Sequence, residues 1–248
     1  MSNPVEASDI ISELKAISNE NTVDIFLPSI GSTVKFKRLN IKQQKSLVLV
    51  ALDDALTQLN FSTNLYDILR ENFPKEINVE VLNTFDKNNI IFNLIKDDSS
   101  DKSDPTSDQV KAIIKNYNKL KIPKKLLSTE IIADKIKITL SVPSLYTEYR
   151  FNKMLFNKYT AGVENRKQFI QDVYIIELAK YISKLVITKD KEIEVKLLEH
   201  SINDILGIID ALPVLPKILK YISDVKDIEN TANTVDGKKI EVTPALFI

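Results

Sequence analysis

Between Val23 and Lys37 the side chains alternate in type, and this period of two, more than any other feature, limits what the chain can fold into. Val23, Ile25 and Leu27 are separated by Asp24 and Phe26, and Val34 and Phe36 are separated by Lys35. Between the two runs, Pro28-Ser29-Ile30-Gly31-Ser32 carries turn chemistry. The pattern predicts a β-hairpin over Val23 to Leu39 whose buried face is Val23, Ile25, Leu27, Val34 and Phe36. A slip of one residue would turn that whole face to water, so the register is a sharp commitment. After Leu39 the period becomes helical. A hairpin packed on helices predicts an α+β fold, mainly α-helical.

Asn40 stands three residues before Gln43. In that spacing the Asn side chain can accept an orphan amide at a helix start while the Gln side chain reaches back to the Asn amide. The helix predicted from there, Ile41 to Leu59, has a stripe of Val48, Leu52, Leu56 and Leu59, and the hairpin is expected to pack on it. A second helix, Thr63 to Phe73, is stopped by Pro74. A third opens at Phe85-Asp86 and carries Ile90, Ile91, Leu94 and Ile95. Further helices are predicted over Tyr149 to Tyr159, Lys167 to Leu185, Ile202 to Ala211 and Pro216 to Val225, the last with proline in its first turn, where the missing amide costs nothing. One late strand is predicted at Lys135 to Leu140. Asp236-Gly237 marks a tight turn in a small C-terminal hairpin between Thr234-Val235 and Lys239 to Val242. Near the start, Ile10, Ile11, Leu14 and Ile17 share one face of Val5 to Ile17, which reads as a short helix or a mobile arm.

Residues 97–108 are almost entirely Asp, Ser and Thr, with no hydrophobic side chain to bury, and read as a flexible acidic loop. They divide the chain into an N-terminal hairpin with helices (1–96) and a mainly helical C-terminal part (109–248), with one continuous domain as the alternative. The 34 basic and 34 acidic residues balance, so no overall field steers the molecule to nucleic acid or to a membrane surface. Cysteine is absent, which excludes disulfides, thiol nucleophiles and cysteine-held zinc. The start lacks an export pattern, and no apolar run is long enough to span a bilayer, so synthesis in a cytoplasm is expected.

Groups for catalysis are sparse. His200 is the one histidine, and no nucleophile elbow of the G-x-S-x-G kind accompanies it, so a structural histidine is expected there. Four scattered glycines, Gly31, Gly162, Gly207 and Gly237, cannot build a phosphate-cradling loop. The aspartates at 97, 98, 101, 104 and 108 lack the glycine and terminal glutamate of a calcium loop. Lys111, Lys115, Lys119, Lys121, Lys124 and Lys125 are interleaved with one aromatic, Tyr117, and read as a solvated basic face more readily than as a nucleic-acid site. No catalytic residue, metal or cofactor is expected.

The residues with most to say are non-catalytic. Leu27-Pro28-Ser29 with Gly31, then Val34-Lys35-Phe36-Lys37-Arg38-Leu39, then Lys42-Gln43-Gln44-Lys45 opening a helix, resemble the opening of the T4-like bacteriophage baseplate hub subunit family. Leu82-Asn83-Thr84-Phe85-Asp86, followed by Ile91-Phe92-Asn93-Leu94-Ile95, is similar to that family's L-x-x-F-D segment and the helix after it. Lys135 to Leu140 falls where the family has an alternating strand, and Pro244 to Ile248 resembles its short aromatic ending. The likeness is clearest over residues 23–96, patchy to about residue 150 and an outline beyond. Members often carry a cysteine pair in the terminal hairpin; here Asp236-Gly237 stands in a cysteine-free turn, so no metal role transfers.

The resemblance implies a non-catalytic structural role in the hub of a contractile-tail baseplate, through protein–protein interfaces in the virion. The alternative is a cytosolic assembly factor or chaperone for hub and tape-measure proteins that leaves before the particle is finished. The partners implied are other baseplate hub and tail proteins, with the tape-measure protein and further copies of the chain as candidates, and with no nucleic acid and no membrane span. Partner contacts are expected at Phe26, on the hairpin face opposite the core, and at the terminal Leu246, Phe247 and Ile248, because clustered exposed apolar side chains mark interaction surfaces.

Overall fold

A computed structural model describes residues 21–51, 56–95, 105–160 and 162–242. The arm at 5–17, Leu52, most of the acidic loop and the terminal Leu246, Phe247 and Ile248 lie outside the described residues.

The predicted hairpin forms in the predicted register. β1 (Thr22–Leu27) pairs antiparallel with β2 (Ser32–Lys37), placing Val23 opposite Phe36 and Ile25 opposite Val34. Ile25, Leu27 and Phe36 are fully buried, and Val23 and Val34 pack against the same core. Gly31 closes the turn at φ +64°, a left-handed conformation natural to glycine, with its N–H donating to Leu27 O at 2.9 Å.

α1 (Ile41–Ala51) opens with the reciprocal cap read from Asn40 and Gln43: Gln43 N donates to Asn40 Oδ1 at 2.9 Å, and Asn40 N to Gln43 Oε1 at 3.1 Å. The expected helix to Leu59 does not run through; α2 (Thr57–Asn72) is a separate element that begins six residues before Thr63. No glycine or proline between Ile41 and Phe73 marks the break, so a single apolar period spans it in sequence. Leu47, not Val48, is the fully buried position of α1. α2 ends where Pro74 forces Phe73 into an extended conformation (ψ 149°).

The hairpin rests chiefly on α3 (Thr84–Ile95) and not on α1 as the sequence suggested. α3 has two apolar sides. Ile90 and Ile91 enter the core beneath the hairpin, with Leu47, Leu65, Leu69 and Phe73, whereas Phe85 and Phe92 enter a larger core built from the rest of the chain. Other elements also cross this division: Leu59 of α2 belongs to the larger core and Leu145 to the smaller one. α4 (Pro105–Asn118) follows and takes in residues 105–108 of the stretch read as a loop. Tyr117 on it is fully buried, stacked on Phe92 with ring centroids 6.3 Å apart, and so is not a platform for bases.

The expected lone strand proves to be one of four. After a single turn, α5 (Lys124–Leu127), the strands β3 (Thr129–Ala133), β4 (Ile136–Leu140), β5 (Ile182–Thr188) and β6 (Glu192–Val195) form an antiparallel sheet in that order. Between β4 and β5 lie α6 (Leu145–Lys158) and α7 (Arg166–Ala179). The helix predicted to Leu185 thus stops at Ala179, and Ile182, Leu185, Val186 and Ile187 are strand residues. Ile138 pairs with Leu185, and Ile136 with Ile187, across more than forty residues of chain.

Side-chain caps start the later helices, Ser144 accepting from Thr147 N at 3.1 Å and Ser201 from Asp204 N at 3.3 Å. α8 (Ile202–Asp210) and α9 (Leu215–Ala232) agree with the sequence reading, α9 ending seven residues later than predicted and carrying proline in its first turn. β7 (Thr234–Val235) and β8 (Lys238–Lys239) make the small terminal hairpin around Asp236 (φ +52°) and Gly237 (φ +73°). The fold is therefore mainly helical α+β, with hairpins at both ends of the described chain. Among the described residues no helix is long and apolar enough to cross a membrane.

Candidate functional site

Two polar arrangements stand out, and α3 supplies residues to both. The first joins the hairpin turn to the start of α3. Asp86, fully buried in the first turn of α3, accepts from Ser29 N through Oδ1 at 2.9 Å and from Asn83 N through Oδ2 at 2.8 Å. Asn83 caps the helix, its Oδ1 accepting from Phe85 N at 3.0 Å. Burial pushes the Asp86 carboxyl above its ordinary range, while hydrogen bonds from Ser29 and Asn83 work in the other direction. One turn further, Asn89 Nδ2 donates to Phe26 O at 2.7 Å and to Asn118 Oδ1 at 3.2 Å. Hairpin, α3 and the end of α4 are thus tied by side chains that reach backbone groups the hairpin cannot satisfy itself.

The second arrangement is a cleft of about 500 Å³ between α2, α3, α6, α7 and α9. Lys87 Nζ meets Glu148 Oε2 at 2.5 Å, and the other carboxylate oxygen accepts from Thr84 Oγ1 at 2.8 Å. Lys180 pairs with Glu177, and Glu229 accepts from Asn88 Nδ2 at 2.8 Å. Burial works to raise the Glu148 carboxyl, but Lys87 and Lys180 outweigh it and hold the group below its usual range. Burial likewise works to lower Lys87, and the Glu148 charge overcomes it, raising the ammonium above its ordinary value. Burial raises the Tyr181 hydroxyl strongly, reinforced by Glu148, Glu177 and Glu229, so it remains a neutral donor. A general acid–base is most effective when its pKa lies near the working pH, and the shifts at Lys87 and Glu148 run away from that range. Two ion pairs, Lys87 with Glu148 and Lys180 with Glu177, line the cleft wall.

Of the sequence-selected residues that are described, Phe26 reaches the first arrangement through its carbonyl alone, and His200 and Asp108 lie outside both. Phe26 is half-buried on β1, opposite Thr33. His200 is exposed behind a short 3-10 turn, its N–H donating to Leu197 O at 3.1 Å. Asp108 is exposed and pairs with Lys111 at 3.3 Å. Among the described residues no cluster of three or more His, Asp or Glu side chains suited to a metal is present. Lys87, Glu148, Lys180 and Glu229 escaped the sequence reading because charged residues are abundant; a usable signal was the polar run Asp86, Asn88, Asn89 and Asn93 inside a helix with too many apolar neighbours to face solvent.

Compared with models of known families, with curated proteins and with solved structures, the chain matches none.

Proposed function

We propose that the chain is a non-catalytic structural component of a phage contractile-tail baseplate hub, acting through protein–protein interfaces with other hub and tail proteins. The observation that supports this reading is the Asp86 bridge. The two sequence segments that resemble the hub family, Leu27-Pro28-Ser29 and Leu82 to Asp86, meet at one buried carboxylate, so the resemblance lies in a single folded unit and not in two unrelated short matches. The two ion pairs in the cleft, Lys87 with Glu148 and Lys180 with Glu177, fit a rigid building block better than a reaction site.

In this reading Phe26 and the terminal Leu246, Phe247 and Ile248 contact partners. Deleting residues 245–248 is expected to leave the melting temperature unchanged and to abolish complex formation with hub or tape-measure proteins; lost stability would instead assign the tail to the chain's own core.

Mass spectrometry of purified particles of the encoding phage, paired with a gene deletion, tests the role. The chain is expected in the particle at a level comparable to other hub proteins, and the deletion is expected to abort tails. Its absence from particles whose tails still depend on it would replace the structural reading with the assembly-factor alternative. Absence together with normal tails overturns both.

A further inference from the structure

The outer side of α1 is unusually apolar for a surface helix. Ile41 and Leu49, two turns apart, are 71% and 68% exposed, and with Val50 they line a groove of about 750 Å³ shared with Lys42, Lys45, Ser46 and Asn64. Two lysines and no carboxylate line it. Exposed large side chains scattered singly are normal, but two on one helix face flanking a groove call for a cover.

The chain has a suitable cover at its own N-terminus. Residues 1–20 precede the described fold and join it at Asn21, whose carbonyl accepts from Arg38 N at 3.0 Å, three residues before Ile41. Asn21 therefore sits beside Arg38, three residues of chain from the start of α1. In sequence, Ile10, Ile11, Leu14 and Ile17 fall on one helical face, and Glu6, Asp9 and Glu13 fall along one flank of it. Counting Glu6, Asp9, Glu13, Glu20 and Lys15, this stretch carries four acids and one base, opposite in sign to Lys42 and Lys45. At about 1.5 Å per residue, Ile10 to Ile17 spans about 10 Å as a helix and Ile41 to Leu49 about 12 Å. The residues between Ile17 and Asn21 reach at most about 14 Å when extended, enough to bring Ile17 to the Ile41 end.

We propose that residues 5–17 dock as an antiparallel amphipathic helix on the outer face of α1, with Ile17 toward Ile41, Ile10 toward Leu49 and the acidic flank toward Lys42 and Lys45. The α1 face is then an internal surface of the chain. This inference does not depend on the hub assignment.

The natural absence of cysteine makes a direct test clean. In the full chain, Ile10→Cys with Leu49→Cys is oxidised at low protein concentration. The expected product is an intramolecular disulfide, seen as a faster band on a non-reducing gel at all concentrations. Ile10→Cys with Ile132→Cys, on the exposed side of β3, is the control and stays reduced. A bond formed only between chains would assign the groove to a second copy and overturn the proposal, as would no bond at all. Independently, Ile10→Asp with Leu14→Asp is expected to speed hydrogen exchange across Ile41–Ala51 while leaving the β4 and β5 amides unchanged; unaltered exchange in α1 also overturns it.

Discussion

The N–H of Ser29 in the hairpin turn donates to Oδ1 of Asp86 at the start of α3, 2.9 Å away and 57 residues along the chain. The same carboxylate accepts from Asn83 N with its other oxygen, so both acceptor atoms are committed. Replacing Asp86 by Asn keeps the shape but turns an amide NH2 toward either the buried Asn83 N–H or the half-buried Ser29 N–H. Asp86→Asn is expected to lower stability by about 1–3 kcal/mol, the usual cost of a buried donor left unsatisfied. Denaturant melts check it, and a neutral result would show that the turn relaxes to water.

Glu148 gives a pH-dependent prediction. Its carboxyl lies below the ordinary carboxylate range in the folded chain, so its ionisation stabilises the fold above the unfolded value of about 4.3 and that contribution is lost as pH falls through the lower folded value. Lys87 has the opposite sense: raised in the fold, its contribution is present below about 10.4 and is lost as pH climbs through the raised value. Glu148→Gln leaves the half-buried Lys87 ammonium without its carboxylate partner and is expected to cost about 1–3 kcal/mol at neutral pH. It should also flatten the acid limb of a stability–pH profile below about pH 4, as followed by urea melts.

Tyr117 holds α4 to the end of α9. Its hydroxyl donates to Asn233 Oδ1 at 2.8 Å and accepts from Asn88 Nδ2 at 3.1 Å, all three groups being buried. Tyr117→Phe removes both bonds without opening a large cavity and is expected to destabilise by about 1–3 kcal/mol. Burial pushes the hydroxyl well above its usual value, so alkaline titration of tyrosine absorbance should show this residue ionising only as the protein unfolds.

Neighbouring positions in β2 and α1 should differ sharply in tolerance. Phe36 is fully buried and meets Phe73 edge-on at 4.8 Å, so Phe36→Ala is expected to cost about 3–5 kcal/mol, whereas Lys35→Ala on the opposite face changes little. Likewise Leu47→Ala is expected to cost about 2–5 kcal/mol. Thermal melts that rank Lys35→Ala as the more damaging hairpin variant would refute the register.

Features settled by residues a few positions apart were legible in the sequence. The alternation from Val23 to Phe36, the Asn40 and Gln43 cap, the stop at Pro74 and the Asp236-Gly237 turn each depend on local sterics and near-neighbour hydrogen bonds, and each appears in the fold. What the tertiary structure decided was pairing. Ile182 to Ile187 read equally well as the end of a helix, because a short apolar run has no period of its own; β4 made it a strand by offering Ile136 and Ile138 as partners. The seat of the hairpin was decided in the same way. α1 and α3 both have apolar positions, but only α3 places Asp86 and Asn89 where the backbone of Ser29 and Phe26 needs acceptor and donor. The Lys87–Glu148 pair in the cleft joins residues 61 positions apart, whose charges become worth pairing only when packing removes most of the water from both.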